Sequence, residues 1–525
     1  MKTIAKIMCV LLLPCLLLAG CSGDGTFKQN ISLTNNKVSS SEIEERINNN
    51  VYDYDVENDF KMTSASQAQA DNPLNDADPS YYTKKYVYNF LGKDTLPIGG
   101  YIEPETTTLQ ISLEEWAKDF VDSGCNVLVQ VGQRTHSSSQ RFPELMQYLE
   151  QYGGMTLIKY SGVMNQTGSI ESGADKLKGA LKMYEQYKSF AGAHVVDEPG
   201  WKTWTEGTAG KGHEVWNTVY NSKLYFINLL PIYSPGWSFP NGATGAGSGS
   251  SSNDYDYYYA SYIEKVHPKV FCYDYYPLKG TYPTLKDEHF LQLYKSRYYA
   301  EDYNYSVYGE YIPFWSFIQI SGWSATRSAT YAEVAWQINT AISFGCKGLQ
   351  YYVYSPSGND LSANDANPGT PVTMEGYKRS NYYDMQRANN YAQSMAKWFL
   401  NASVDHIGQV GFTPNGEIIP EAMFVPRDPN FQWRLVNTAG VPHLISYMKY
   451  YANNNEYDEF VDGDVQEMYF VCNNSIVNGG DVTLNFGEEV VKGSYIVGGK
   501  EFEFEGSSLT VTTGAGEAFA LLLDN

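Results

Sequence analysis

The sequence predicts a parallel TIM-type (β/α)8 barrel followed by an antiparallel β-sandwich, and three observations carry that expectation. From about Leu91, eight short runs of β-branched or aromatic residues alternate with longer stretches of helical periodicity, the pattern of a parallel sheet covered by helices. None of the runs is followed by GxGxxG, which weakens the rival, an open doubly wound sheet. Beyond roughly Leu400 the texture changes to short β-rich segments divided by Gly and Asn, about eight to twelve residues apart, as in a sandwich.

The eight runs are Pro97–Glu103, Asn126–Gly132, Thr156–Ser161, His194–Pro199, Tyr225–Tyr233, Val270–Pro277, Ile312–Ile320 and Gly348–Ser355. Between them, Leu113–Ser123 reads as a helix with Ser112 as its cap and Glu114 and Glu115 in its first turn. Ala332–Phe344 places Ala335, Ile338 and Ile342 on one face. Asp175–Phe190 and Leu285–Asp302 fill similar slots, and the Gly/Ser-rich stretch Asn241–Ser252 reads as a surface insertion. In the C-terminal part, Glu467–Cys472, Val482–Phe486, Tyr495–Val497, Glu501–Phe504, Leu509–Thr512 and Ala518–Leu523 are the expected strands. The chain thus divides into a leader (1–20), a polar linker (21–90), a barrel (91–400) and a sandwich (401–525).

The N-terminus reads as a targeting segment. Lys2 and Lys6 precede an apolar run from Ile7 to Leu18, interrupted by Pro14 and too short to span a bilayer as a mature helix. It closes on Leu18-Ala19-Gly20-Cys21, which resembles the lipobox of bacterial lipoproteins. That resemblance implies a lipid on the Cys21 thiol and attachment to the bacterial cell surface or to the periplasmic side of a membrane, through the lipid alone. Cys9 and Cys15 lie in the leader, leaving Cys125, Cys272, Cys346 and Cys472 singly in apolar runs with no CxxC. Buried free thiols are expected, and neither a disulfide framework nor a zinc finger. With 37 Lys+Arg against 59 Asp+Glu the formal charge is −22, which repels a polyanion and argues against a nucleic acid partner.

In a barrel the reacting groups sit at the C-terminal ends of the strands. The fourth run ends Val195-Val196-Asp197-Glu198-Pro199, two carboxylates directly after β-branched core residues, costly there unless paired or at work. Strand alternation would send Glu198 to the mouth and Asp197 toward a neighbouring strand. This step resembles the acid/base signature of (β/α)8 glycoside hydrolases, in which Asn-Glu-Pro closes strand four. The resemblance extends to Gly99-Gly100-Tyr101, Ser123-Gly124-Cys125-Asn126 and Gly345-Cys346-Lys347-Gly348 and covers about 300 residues. It implies a two-carboxylate hydrolase acting on an oligo- or polysaccharide, with Glu198 as general acid/base. The family's second Glu, at the end of strand seven, has no counterpart in Trp315-Ser316-Phe317-Ile318-Gln319. Asp274 in Tyr273-Asp274-Tyr275-Tyr276-Pro277 is the best replacement, as nucleophile or water-activating base, and Glu103 the next. An aromatic wall would keep Glu198 protonated and a polar neighbourhood would keep Asp274 charged.

The many aromatics at predicted strand ends suit stacking on pyranose C–H faces. Tyr101, Tyr233, Tyr276, Trp315 and Tyr352, with Trp237, Tyr275, Trp323 and Tyr354, are candidates, and Gln130, Asn228 and Gln319 could bind sugar hydroxyls. No HxH or HExxH occurs among the seven His, so no metal or other cofactor is expected; His194 reads as a satisfied strand residue. A GxSxG elbow would have to come from Gly247-Ser248-Gly249-Ser250 or its neighbours, inside the Gly/Ser insertion and away from any strand–helix turn. The alternative to an enzyme is a carbohydrate-binding lipoprotein on a hydrolase scaffold, which the missing strand-seven Glu favours.

Overall fold

A computed structural model describes residues 90–524 except 93, 131–140, 165–167, 235–251, 287, 324–325, 357–368, 411–434, 439–440 and 452–464. The leader, Cys21, nearly all of the expected linker, Trp237 and most of the Gly/Ser insertion lie outside the described residues.

Eight parallel strands close into a barrel in sequence order. They are β1 (Ile98–Tyr101), β2 (Val127–Val129), β3 (Met155–Lys159), β4 (Phe190–Asp197), β5 (Leu224–Leu229), β6 (Phe271–Tyr273), β7 (Phe314–Gln319) and β8 (Gly348–Tyr352). Each overlaps one of the eight runs. A helix follows every strand: α1 (Leu113–Asp122), α2 (Phe142–Tyr152), α3 (Ile170–Leu181), α4 (Ala209–Tyr220), α5 (Ser252–Val266), α6 (His289–Tyr298), α7 (Tyr331–Ser343) and α8 (Ser380–Phe399). Ser112 caps α1 by accepting the Glu115 N–H at 3.0 Å, and Thr330 with Glu333 forms a capping box on α7. Two helices differ from expectation at both ends, running Ile170–Leu181 and His289–Tyr298. α3 begins five residues earlier, where Ser169 accepts the Ser172 N–H, and Phe190 opens β4. α6 stops at Tyr298 and passes into a π-helical turn, Tyr299–Tyr303.

Period-two alternation sorts the strand side chains. Tyr225, Ile227 and Leu229 of β5 face the helices, whereas Leu224 and Phe226 fill the barrel with Val129, Leu157, Cys272, Trp315 and Phe317. The four cysteines are free and buried.

Strands β9 (Ala402–Val410), β10 (Leu435–Thr438), β11 (His443–Tyr451), β12 (Val465–Asn473), β13 (Gly480–Asn485), β14 (Val491–Val497), β15 (Lys500–Gly506), β16 (Ser508–Thr513) and β17 (Ala518–Leu523) follow. They form an antiparallel six-stranded sheet, β15-β14-β17-β12-β11-β9, and a three-stranded sheet, β10-β13-β16. Strands β9 to β11 add to those read from the sequence. The larger sheet is apolar on both faces. Tyr469, Val471, Phe519 and Leu521 meet Val482, Leu484 and Val511 of the smaller sheet. Met468, Phe470, Cys472, Ala518 and Ala520 point the other way and join the core beneath the barrel helices. The Trp336 indole N–H donates to Asn474 Oδ1 at 2.8 Å, and Ser446 Oγ donates to the Ser343 carbonyl at 2.8 Å.

Gly516 marks the tightest approach of this sheet to α7. Its φ is +71°, and a Cβ there would lie 2.1 Å from the Ala332 carbonyl oxygen and 2.7 Å from the Trp336 nitrogen. Gly516→Ala is expected to destabilise the protein by about 2 kcal/mol or more, the left-handed conformation alone costing about 1–2 kcal/mol. A thermal midpoint equal to that of the unsubstituted protein would show that helix and sheet part without cost.

Candidate active site

The strand ends bring most of the expected polar residues to the mouth of the barrel, though not by simple alternation. β4 carries an irregularity between His194 and Val196 in its pairing with β5. Val195 and Val196 both pack toward the helices, and Asp197 falls level with Asn228. Glu198 then leaves the strand at φ +45°, a strained conformation for a residue with a Cβ and frequent at functional sites. Bulges re-aim side chains in this way. Asp197 and Glu198 therefore both serve the mouth, where alternation alone would have sent them apart.

Strand β5 holds both carboxylate-bearing ends. Its Asn228 carbonyl accepts the Glu198 N–H at 2.9 Å and its Leu229 carbonyl accepts the Asp274 N–H at 3.2 Å. The Asn228 side chain donates to Asp197 Oδ1 at 3.0 Å. Asp274 follows β6 and is 3% exposed, and its carboxyl lies within hydrogen-bonding reach of both Glu198 and Tyr276. Burial first, then the Glu198 charge, raises the Asp274 pKa well above the usual carboxylate value. The Glu198 side chain opens to solvent, yet partial desolvation of its carboxyl raises its pKa too, against the lowering effect of the Asp274 contact. Both carboxyls are thus pushed toward the neutral form, Asp274 by the deeper burial. This corrects the expectation that polar surroundings hold Asp274 charged: β6 delivers it, buried, beside Tyr276 and Tyr233.

Tyr101 is 1% exposed. Its hydroxyl is buried with no hydrogen-bond partner among the described residues and lies within electrostatic reach of Asp197, Asp274 and Glu198. Tyr276 meets Trp323 edge-on at 4.8 Å and Tyr352 at 5.5 Å, and Trp323 and Tyr352 are half-buried at the rim. Tyr233 is half-buried on the other side of Asp274, under the Lys286 ammonium at 3.8 Å from its ring centre. Glu103 is buried and joins the cluster through Lys159, whose charge faces both Glu103 and Asp197 while burial lowers its pKa. His194 sits beneath, donor or acceptor to the Gln130 carbonyl at 3.0 Å and 3.9 Å from Asp197 Oδ1. Burial pushes its pKa down to about 4 and keeps the ring neutral.

Four expected ligand contacts are engaged elsewhere. Gln130 Oε1 accepts the Lys159 N–H at 2.8 Å, tying β2 to β3. Gln319 is fully buried; its amide pairs with both backbone groups of Leu278 and donates to the Arg327 carbonyl, clamping the loops after β6 and β7. Trp315 is the second residue of β7 and so lies toward the floor, packed on Phe90 and Phe226. The Asn228 amide is likewise spent on Asp197. Two residues were missed. Lys159 could have been found as a cation closing an otherwise apolar strand; Lys286, whose pKa burial lowers to about 8, lies in a loop with no such signal.

No family model and no curated protein matches the chain. Among solved structures it is similar to a family 39 glycoside hydrolase from Bacteroides cellulosilyticus, at 12% identity over 82% of each chain with a TM-score of 0.43. An Anoxybacillus α-amylase shares 8% identity over 82% of this chain and 98% of that one, TM-score 0.41. A glucosidase from Croceicoccus marinus shares 9% over 82% and 95%, TM-score 0.38. Likeness at this level says nothing of substrate or residue roles.

The raised pKa of Asp274 has a stability consequence with a definite sign. Below about pH 4 the carboxyl is protonated in the folded and unfolded chain alike. As pH rises, the unfolded chain releases the proton while the folded state resists, so folding stability falls until the elevated pKa is passed. Asp274→Asn removes that penalty. Its thermal midpoint is expected to exceed that of the unsubstituted protein at pH 8, with the gap shrinking toward pH 4; a gap that is absent or reversed at pH 8 would contradict a protonated, buried Asp274.

Proposed function

We propose that the protein is a glycoside hydrolase that cleaves glycosidic bonds of an oligo- or polysaccharide with Glu198 and Asp274. The observation that carries this reading is the pair of neighbouring carboxyls, both with raised pKa, at the C-terminal mouth of a parallel barrel and beside the aromatic rim Tyr276, Trp323 and Tyr352. Glycosidic cleavage needs one carboxylic acid and one carboxylate at a single bond. A sugar covering Glu198 removes water from it and raises its pKa toward that of Asp274, while the Tyr276 hydroxyl supports the Asp274 anion. The proton then passes from Asp274 to Glu198, which delivers it to the leaving oxygen. Asp274 supplies the negative charge that an oxocarbenium-like transition state requires, and Asp197, fixed by Asn228, orients the Glu198 turn.

Glu198→Gln is expected to lower kcat by about 10²–10⁴-fold with the thermal midpoint retained, measured as release of reducing ends; full activity would remove Glu198 from the mechanism. A second reading, a carbohydrate-binding protein without catalysis, is favoured by the absence of any carboxylate in β7 (Phe314–Gln319). Glycan binding by calorimetry without release of reducing ends over long incubation would establish it.

Anchorage to a bacterial membrane through a lipid on Cys21 belongs to the same proposal and is supported by the Leu18-Ala19-Gly20-Cys21 step. Metabolic labelling with palmitate is expected to mark the protein and to fail on Cys21→Ser; equal labelling would refute it.

A further inference from the structure

Glu198 stands at φ +45°, a backbone conformation that persists in a residue with a Cβ only where its surroundings over-determine it. The chain there is held on two sides. The Glu198 N–H donates to the Asn228 carbonyl of β5 at 2.9 Å. One residue on, the Pro199 carbonyl accepts the Tyr258 hydroxyl at 2.9 Å, and the same hydroxyl oxygen accepts the Leu230 N–H at 3.1 Å. A single phenolic oxygen on α5 thus couples the stretch after β4 to the stretch after β5, directly behind the turn that carries Glu198.

We propose that Tyr258 is a positioning residue for catalysis: its hydroxyl, bridging Pro199 and Leu230, fixes the turn that aims the Glu198 carboxyl at the glycosidic oxygen. This rests on the glycoside hydrolase reading above. The ring that carries the hydroxyl is itself immobilised. It is fully buried and packs 5.0 Å from the Trp204 ring, whose indole N–H donates to Ser261 Oγ at 2.9 Å. Leu230 is gripped a second time, by the Tyr255 hydroxyl at 3.0 Å from its carbonyl oxygen. That hydroxyl also lies 3.1 Å from Gln292 Oε1 of α6, which accepts the Ile232 N–H at 2.9 Å. Two helices outside the barrel therefore hold the stretch after β5 from behind, and Tyr258 passes that hold to the Glu198 turn.

The bridge needs a group that donates to a carbonyl and accepts from an N–H at once, which a hydroxyl does. Phenylalanine fills the same space and does neither. Tyr258→Phe therefore releases the Pro199 carbonyl and the Leu230 N–H while keeping the packing. With that tie gone the turn relaxes, and a carboxyl misplaced by about 1 Å loses much of its advantage as a general acid. The groups that face the Glu198 carboxyl are Asp197 beside it, Asp274 after β6 and the hydroxyls of Tyr101, Tyr233 and Tyr276; the substitution alters none of them. Burial is the first cause of the raised Glu198 pKa, so a turn that opens to water brings it down.

The test uses phenyl and 2,4-dinitrophenyl glycosides of the common hexoses and pentoses, whose leaving groups need the most and the least help from an acid. Tyr258→Phe is expected to lower kcat by about 10–10²-fold on the phenyl glycosides, with a much smaller loss on the dinitrophenyl ones and KM nearly unchanged. Tyr262→Phe, one turn further along α5, is the control. Its hydroxyl is buried with no hydrogen-bond partner among the described residues and its ring packs on the same Trp204 at 5.3 Å, so both rates are expected to hold. Carbon-13 NMR of glutamate-labelled protein, with Glu198→Gln assigning the signal, is expected to show Glu198 titrating at lower pH in Tyr258→Phe. Equal losses on the two glycosides, losses matched by Tyr262→Phe, or an unmoved titration would reduce Tyr258 to a structural tie and overturn the inference while the hydrolase reading stands. Should Tyr258→Phe not fold, Trp204→Phe, which loosens the ring and keeps the hydroxyl, decides by the same comparison. If the unsubstituted protein cleaves neither these glycosides nor a polysaccharide, the hydrolase reading falls, and the NMR titration alone decides whether Tyr258 holds Glu198.

Discussion

Two carboxyl groups in contact at the open end of a barrel set the terms for everything around them. Like charges this close do not both ionise without heavy cost, so the two carboxyls titrate as a pair and not as separate groups. Burial distinguishes them. Asp274 is sealed by the aromatic side chains that follow β6, and Glu198 faces solvent, so their joint titration answers to whatever covers Glu198. Any ligand that does so shifts the balance between the two carboxyls.

The framework that brings the two together is β5. The ends of β4 and β6 are not hydrogen-bonded neighbours in the barrel, yet successive carbonyls of Asn228 and Leu229 hold the backbone of Glu198 on one side and of Asp274 on the other. The Asn228 amide adds a hold on Asp197. Around this splint the charges alternate, from Glu103 through Lys159 to Asp197, with a neutral His194 beneath. Such alternation lets Glu103 and Asp197 crowd one opening without unfolding it. Gln319 fixes the loops that carry Tyr276 and Trp323 relative to one another, so the aromatic rim is positioned by a residue that never reaches it.

Barrel strands are legible because their runs are short, β-branched and separated by helical periodicity, and all eight emerge from that contrast. Strands β9 to β11 are harder to read, because β9 carries Asp405, His406 and Gly408 within it and β10 is only four residues long. Within the site, Asp-Glu-Pro and Tyr-Asp-Tyr-Tyr-Pro stand out because carboxylates follow core residues directly. Side-chain direction is not legible in the same way. The irregularity in β4 re-aims Asp197, a feature of pairing with β5 and not of any local residue pattern. Gln130 and Gln319 look like ligand contacts only until the backbone groups beside them, invisible in sequence, claim their amides. Trp315 misleads because where a strand begins determines whether an inward ring lies at the mouth or on the floor.

The six-stranded sheet is apolar on both sides, one covered by the smaller sheet and the other by α7 and α8. Cutting the chain between Phe399 and Ala402 would bare a greasy surface on each fragment at once, on the helices and on Met468, Phe470 and Ala520 alike. The C-terminal region is therefore part of the core that closes the barrel's helical layer, and neither part keeps its packing without the other.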